Sequence, residues 1–460
     1  MLNRREFLAV SAVAAAAPAR KPNIIWIMAD DLGYADVGCY GQKIIQTPNI
    51  DRLAREGTRF TDAYAGCTVC APSRSVLMTG KHMGHTSVRS NPGGVPLLAS
   101  DVTVAQILKK AGYACGCFGK WGLGDIGTDG VPWKHGFNEF FGYLHQAHAH
   151  RQYPKFLYDD DRQFPMQGQY APDVAANRAV EFVKKNRAKP FFLYAAFTLP
   201  HAEYRAPEEM MKLYRGKFEE VGPYRGGNHL QPQPEPRTAY AAMVTDLDRQ
   251  VGQLLDTLKQ QGLERETLVV FTSDNGGATR LAKVNDIFSS YGVFRGSKQT
   301  MYEGGLRVPM IARWPGRVPA GRTSDFVWMF EDFLPTAAEV AGVAPPSDID
   351  GMSVLPALEG KPQKPHDWLY WELPRYEAAT GEFRKETPMQ ALRMGYWKAV
   401  RPVPDGPLEL YDLKIDPAES RDISVQRPDI VRQVEQILAE ARTEPRPQKE
   451  PAHDWWNPNA

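Results

Sequence analysis

Cys70 opens the run Cys70-Ala71-Pro72-Ser73-Arg74, which continues as Ser75-Val76-Leu77-Met78-Thr79-Gly80. A cysteine at the start of a helix has two readings. It can be a thiol nucleophile of lowered pKa, or a buried structural residue. Neither accounts for Pro-Ser-Arg and Leu-x-Thr-Gly at fixed spacing downstream. Elsewhere, polar residues follow apolar runs directly. Asp30-Asp31 follows residues 23–29, Lys120 follows 113–118, His201 follows 191–197, and Asp274-Asn275 follows 268–272. One carboxylate after one strand is unremarkable. Six polar residues after four strands point to one convergent site, because open α/β sheets bind ligands beyond the carboxyl ends of their strands.

The elements that must position these residues are legible in outline. Residues 23–29 form a continuous apolar run, as expected of a strand covered on both faces. Ser100 or Asp101 can cap a helix carrying Val104, Ile107, Leu108 and Ala111, which Gly112 stops. Residues 237–261 place Tyr240, Met243, Val244, Leu247, Val251, Leu254, Leu255 and Leu258 on one helical face. Alternating strands and helices imply a large, mostly parallel mixed sheet with helices on both faces. After about residue 350 the texture changes. Residues 359–365 are rich in Pro and Lys and read as a linker. Short strand-like pieces follow at 368–371, 390–394, 396–400 and 408–411, then a helix over 428–441. These predict a small C-terminal α+β domain with a short antiparallel sheet. The expected division is a leader at 1–19, a catalytic domain at 20–355, a C-terminal subdomain at 366–445 and a tail at 446–460. The loop 222–236 has no periodicity, and a loop of that length is usually functional or mobile.

The Cys70 run resembles the signature of the type I sulfatases, Cys-x-Pro-Ser-Arg-x-x-Leu-x-Thr-Gly, and matches it throughout. The resemblance covers roughly residues 21 to 345. Pro22-Asn23-Ile24-Ile25 through Asp30-Asp31-Leu32-Gly33 is similar to the family's opening strand. Gly119-Lys120-Trp121 is similar to its lysine motif, Pro200-His201 to its histidine motif, and Ser273-Asp274-Asn275-Gly276 to its second metal motif. Gly296-Ser297-Lys298 through Tyr302-Glu303-Gly304-Gly305 is similar to its last motif.

The resemblance implies a fold related to alkaline phosphatase, one divalent cation, usually calcium, and hydrolysis of sulfate esters. It further implies that Cys70 is oxidised to formylglycine by a maturation enzyme. Asp30, Asp31, Asp274 and Asn275, together with residue 70, are then the metal site. Their oxygen donors suit Ca²⁺ better than Zn²⁺, although each alone could be a helix cap or an Asx turn. The hydrated aldehyde supplies one hydroxyl to attack sulfur and a second whose deprotonation lets the adduct collapse. In the implied roles, Arg74 holds the diol, Lys120 and Lys298 clamp sulfate oxygens, and His201 protonates the leaving group.

One position departs from the family. Many sulfatases follow Gly-Lys-Trp with a histidine that assists the diol, and this chain has Gly122 there. His145, His148 and His150 follow soon afterwards. His148 is the preferred replacement base, beside two other readings: a wall of the substrate pocket, or a second metal site from the H-x-x-H-x-H spacing. Gly122 is also the only support for a catalytically silent glycan-binding relative. A formylglycine-dependent phosphodiesterase or phosphonate monoester hydrolase shares Cys-x-Pro-x-Arg and is the alternative within hydrolases. A two-zinc phosphatase fits less well, because a histidine ligand is expected where Asn275 stands. Activity on aryl sulfates is expected, and a sulfated carbohydrate is the expected natural substrate by analogy.

Residues 1–19, MLNRREFLAVSAVAAAAPA, have the pattern of a secretory signal and resemble the twin-arginine type. They imply the twin-arginine export machinery as a partner and a periplasmic or extracellular location in a bacterium. The apolar stretch is too short to span a bilayer, so no transmembrane anchor is expected. The chain has 460 residues, Lys+Arg 55 against Asp+Glu 54, and a formal net charge of +1. That balance supplies no general pull towards nucleic acid or an anionic membrane. Hydrophobic content of 43% with 24% charged residues is that of an ordinary globular chain. Five cysteines are an odd number and too few for a disulfide scaffold. Cys115 and Cys117 share one strand face and are poorly placed to bridge each other, whereas Cys39 and Cys67 could pair. Trp455 and Trp456 are expected to pack on the domain rather than bind sugar.

Overall fold

The computed structural model describes residues 20–223, 230–278, 283–377 and 379–449. The leader reading at 1–19 and the packing reading of Trp455 and Trp456 lie outside the described residues.

The strand Asn23–Ala29 is buried along its whole length, and its alternate residues enter two different cores. Ile24, Trp26 and Met28 face one core, and Ile25, Ile27 and Ala29 face the other. A strand covered on both faces needs apolar residues at every position, which explains the unbroken run. Five parallel strands make the centre of a ten-stranded sheet: Thr267–Ser273, Asn23–Ala29, Phe191–Ala196, Ala114–Lys120 and Glu139–Tyr143. Beyond Thr267–Ser273 lie Met310–Arg313 and Thr58–Phe60, each antiparallel to its inner neighbour, and then Arg322–Ser324. Beyond Glu139–Tyr143 the sheet ends in the antiparallel pair Phe156–Asp159 and Arg162–Pro165.

Helices cover both faces. Cys70–Thr79, Val104–Lys110 and Phe333–Val340 pack in the first core through Leu77, Leu108 and Ala337. Pro48–Arg55, Ala171–Lys185 and Pro236–Gln260 pack in the second through Leu53, Phe182 and Leu247. The cap of the Val104 helix is Thr103, not Ser100 or Asp101. Thr103 and Gln106 exchange side-chain bonds with each other's amides in a capping box, while Asp101 accepts from the Leu98 amide and the Ser87 hydroxyl.

A second sheet, Leu369–Leu373, Met389–Met394, Trp397–Arg401 and Glu409–Asp412, is antiparallel throughout. The helix Pro428–Glu440 buries Val434 and Leu438. Tyr370, Trp371 and Leu392 belong to the same core as Val76 and Leu77 of the Cys70 helix. The small sheet therefore packs on the face of the large sheet that carries Cys70. No helix among the described residues is long and apolar enough to cross a membrane.

Candidate active site

Four of the five strands of the parallel centre deliver a side chain to one place. Asp30 and Asp31 follow the first strand, and Asp31 has a left-handed φ of 64°. That conformation, unusual for a residue with a Cβ, is fixed by its amide donating to Asp274 Oδ1 at 3.1 Å. Asp274 and Asn275 follow the adjacent strand. Lys120 ends a third strand and donates from Nζ to Asp30 Oδ2 at 2.8 Å. His201 comes from the loop after a fourth, with Nε2 at 3.3 Å from Asp31 Oδ2.

Cys70 is the first residue of its helix, and its side chain points into this cluster. Sγ lies 3.5 Å from Asp30 Oδ1, 3.9 Å from Asp31 Oδ1 and 3.3 Å from Lys298 Nζ. One turn on, Arg74 is fully buried. It donates through Nη2 to Asp274 Oδ2 at 2.8 Å and through Nη1 to the Lys120 carbonyl at 2.7 Å. Lys298 reaches in from a loop and donates to both Asp31 oxygens at 2.6 and 2.8 Å. The candidates Asp30, Asp31, Cys70, Arg74, Lys120, His201, Asp274, Asn275 and Lys298 thus meet in one buried cluster. Ser73, which sequence reasoning gave no role, ties the helix to the site by donating to the Asp274 carbonyl.

Charge balance inside the cluster is close. Burial alone raises Asp30, but Lys120, His201 and Arg74 hold it down at about 2. Burial likewise opposes ionisation of Asp31, and Lys298 and His201 outweigh it. Burial, reinforced by Asp274, pushes the Cys70 thiol well above its ordinary range. As a plain cysteine it is a protonated, poor nucleophile near neutrality. Burial also lowers His201 against the opposing pull of Asp31.

The donor set fits a hard cation. Asn275 Nδ2 donates to Asp31 Oδ1 at 2.8 Å, which orients the amide. Asn275 Oδ1 is then left buried with no hydrogen-bond partner among the described residues. An orphaned buried acceptor costs about 1–3 kcal/mol. A cation shared with the neighbouring carboxylates relieves that cost, and oxygen donors are what Ca²⁺ takes.

His148 is placed elsewhere than expected. Its ring packs between Tyr143, with centroids 5.1 Å apart, and Phe156 at 4.7 Å. Burial and His145 pull it down to about 3. His150 is the histidine that meets the cluster, stacked on His201. Both belong to the 3-10 turn His148–His150, in which residues two apart point in different directions. Gly122 has a left-handed φ of 77°, and a Cβ there would fall 2.1 Å from Gln146 Nε2. The Gln146 amide fills the space and donates to the Gly122 carbonyl at 3.2 Å.

The cysteines are five free thiols, so the pairing left open for Cys39 and Cys67 is not formed. Cys67 faces the Glu372 carbonyl at 3.7 Å, and Cys39 lies beside Asp51, to which its amide donates.

The sulfatase family model matches residues 22–343. The model described as N-sulphoglucosamine sulphohydrolase, C-terminal, matches residues 290–444. The chain is 35% identical over 418 residues to arylsulfatase A of Homo sapiens, covering 85% of this chain and 77% of that protein. It is 34% identical over 388 residues to N-acetylgalactosamine-6-sulfatase of Canis lupus familiaris, covering 77% and 69%. The solved structure of Ps i-CgsB in complex with k-i-k-neocarrahexaose matches with a TM-score of 0.79 at 32% identity, over 94% of this chain and 95% of that one.

Proposed function

The chain belongs to the sulfatase family, and we propose that it hydrolyses sulfate esters of carbohydrate through a formylglycine made from Cys70, with one bound calcium ion. The observation that carries this reading is the seat of residue 70. It opens a helix, lies against Asp30, Asp31 and Lys298, and is backed by Arg74.

Oxidised to formylglycine and hydrated, residue 70 supplies one hydroxyl to attack sulfur and another to release it. Asp30, Asp31, Asp274 and Asn275 would hold the cation, which would supply positive charge beside residue 70. The chain's own residues do the remaining work. Lys298 and Lys120 place two ammonium groups beside the carboxylates, where they offset the charge of a bound sulfate. Arg74, locked on Asp274 and the Lys120 carbonyl, fixes the back wall against which residue 70 is positioned. His201 donates from Nδ1 to the Ala202 carbonyl, which turns Nε2 towards Asp31 Oδ2 at 3.3 Å. Nε2 also lies 3.4 Å from Lys298 Nζ, and in the imidazolium form, which the neighbouring Asp31 carboxylate favours, it carries the proton that would pass to the leaving oxygen.

A sulfated carbohydrate substrate is supported by relatives whose names specify N-acetylgalactosamine-6-sulfate chemistry and by the oligosaccharide bound to Ps i-CgsB. Export as a periplasmic or extracellular protein follows from reading residues 1–19 as a twin-arginine-type signal. Mass analysis of the mature N-terminus, expected after Ala19, tests it.

Mass spectrometry of the Cys70 peptide tests the nucleophile, since formylglycine is about 18 Da lighter than cysteine. Turnover of an aryl sulfate, measured beside phosphate mono- and diesters, tests the reaction. Full aryl sulfate turnover with unmodified Cys70 would sink the formylglycine reading, and faster diester cleavage would favour the phosphodiesterase alternative. A screen of sulfated mono- and oligosaccharides tests the substrate.

A further inference from the structure

A cavity of about 720 Å³ opens beside the cluster. Its wall includes Val69, immediately before Cys70, and Gln299, immediately after Lys298. The Gln299 amide donates to the Thr68 carbonyl at 3.0 Å, so the two segments that carry Cys70 and Lys298 are joined at this wall. The opposite side comes from the small sheet, through Arg375, Tyr376 and Arg384. Tyr376 and Phe383 form an antiparallel bridge, and the Arg384 amide donates to the Arg375 carbonyl at 2.9 Å. The two guanidinium groups therefore rise from one rung of a hairpin.

The lining is polar in a particular way. Ser90 lines the cavity and is 1% exposed, yet its Oγ has no hydrogen-bond partner among the described residues. Asn91 spends its Oδ1 on the Ala71 amide, which leaves its amide N–H groups as donors. Arg384 pairs with Glu377 at 2.8 Å and Arg375 with Glu386 at 3.7 Å. Each arginine side chain is about half exposed, at 53% for Arg375 and 47% for Arg384. Such exposed pairs contribute about 0–1 kcal/mol and are readily exchanged for a better anion. The volume lies in the range of about 300–1,000 Å³ typical of small-ligand sites.

We propose that this cavity is a second subsite for the sugar residue next to the one being desulfated, and that Arg375 and Arg384 read an anionic group on that residue. The proposal rests on the sulfatase reading of the Cys70 site. The ligand class is an anionic oligosaccharide, with either a second sulfate ester or a uronate carboxylate as the recognised group. Guanidinium forks match both oxyanions. Ser90 and Asn91 offer hydrogen bonds to sugar hydroxyls.

Binding is measured by calorimetry on the full chain carrying Cys70→Ala, which removes turnover. The probes are three disaccharides: monosulfated neutral, disulfated, and monosulfated with a uronate. One or both of the doubly charged probes is expected to bind about 10- to 100-fold more tightly than the monosulfated neutral one. That is the range of one or two charge-assisted hydrogen bonds. Adding Arg375→Ala and Arg384→Ala is expected to collapse the preference to within about twofold. Which probe is preferred identifies sulfate or carboxylate. Equal binding of all three probes, or a preference that survives the double substitution, overturns the subsite. Absence of aryl sulfate turnover by the wild-type protein instead overturns the sulfatase reading, and the binding comparison does not depend on it.

Discussion

His150 lies flat on His201, with ring centroids 4.2 Å apart and 14° between the planes. The same segment holds the His201 loop by its backbone. The His150 carbonyl accepts from the Glu203 amide at 3.0 Å, and Gln152 Nε2 donates to the His201 carbonyl at 3.1 Å. His150 is thus a positioning residue for His201. His150→Ala is expected to lower kcat on an aryl sulfate about 10- to 100-fold, the size of effect that misplacing a reacting group produces, with KM little changed. His150→Phe keeps the stack and is expected to recover most of the loss. Steady-state kinetics with a matched Tm check this. Equal loss in both variants at unchanged Tm would show that the imidazole itself, not its stacking face, is required.

The three buried carboxylates of the site are each met by a cation of the chain: Asp30 by Lys120, Asp31 by Lys298, and Asp274 by Arg74. Stripping divalent ions with a chelator is expected to abolish aryl sulfate turnover, and Ca²⁺ to restore it. Because an ion that binds only the folded state stabilises it by mass action, Ca²⁺ is expected to raise Tm in a concentration-dependent way. Asp274→Ala removes one of the proposed oxygen donors and strands the buried Arg74 charge. A loss of about 3–5 kcal/mol is expected, together with loss of the Ca²⁺ response in a melting experiment. Restoration by Zn²⁺ and not by Ca²⁺ would contradict the calcium assignment.

The placement of the site was legible because parallel strands buried on both faces read as unbroken apolar runs, so their polar ends stand out. Asp30, Lys120 and Asp274 are found that way, and Cys70 and Arg74 lie one turn apart in a contiguous motif. What was not legible depends on phase or on distance. Whether His148 or His150 meets His201 is decided by a 3-10 turn with no periodic signature. Gly122 looks like a loss until Gln146 is seen to fill the space its side chain would need. The cap at Thr103 competes with Ser100 and Asp101, and only the reciprocal bond from Gln106 decides it. The pairing of Ser90 and Asn91 with Arg375 and Arg384 across one cavity spans nearly 300 residues of sequence, and no local pattern reports such a contact.

His366 offers a stability prediction away from the chemistry. Burial opposes its charge, but Asp332, at 2.7 Å from Nε2, outweighs it with help from Glu331 and raises the group to about 9. A histidine whose folded pKa lies above its unfolded value stabilises fully below about pH 6.5, and that contribution is lost as pH rises through about 9. On the order of 1–3 kcal/mol is at stake. His366→Gln is expected to flatten the decline of unfolding free energy between pH 6.5 and 9.5. A decline of unchanged slope in the variant would assign it to other groups.

Lys398 connects the small sheet to the loop that carries Lys298. Its Nζ donates to Glu303 Oε1 at 2.8 Å and to Glu419 Oε1 at 3.4 Å, and all three side chains are fully buried. Glu303 in turn accepts from the Tyr64 hydroxyl at 2.7 Å and Arg307 Nε at 2.6 Å, and it lies only five residues beyond Lys298. Removing one member of a buried charge network leaves the others uncompensated, which costs about 3–5 kcal/mol. Lys398→Met is therefore expected to lower the urea midpoint and to reduce kcat/KM, since Glu303 anchors the segment that aims Lys298. Replacing Glu419 as well, by Gln, removes the carboxylate that Lys398 had paired and is expected to regain part of the stability. It should not regain the rate, because the anchor of the Lys298 segment stays weakened. Urea unfolding and aryl sulfate kinetics on the two variants separate these effects. Full recovery of kcat/KM in the double variant would show that the network carries stability alone and has no part in aiming Lys298.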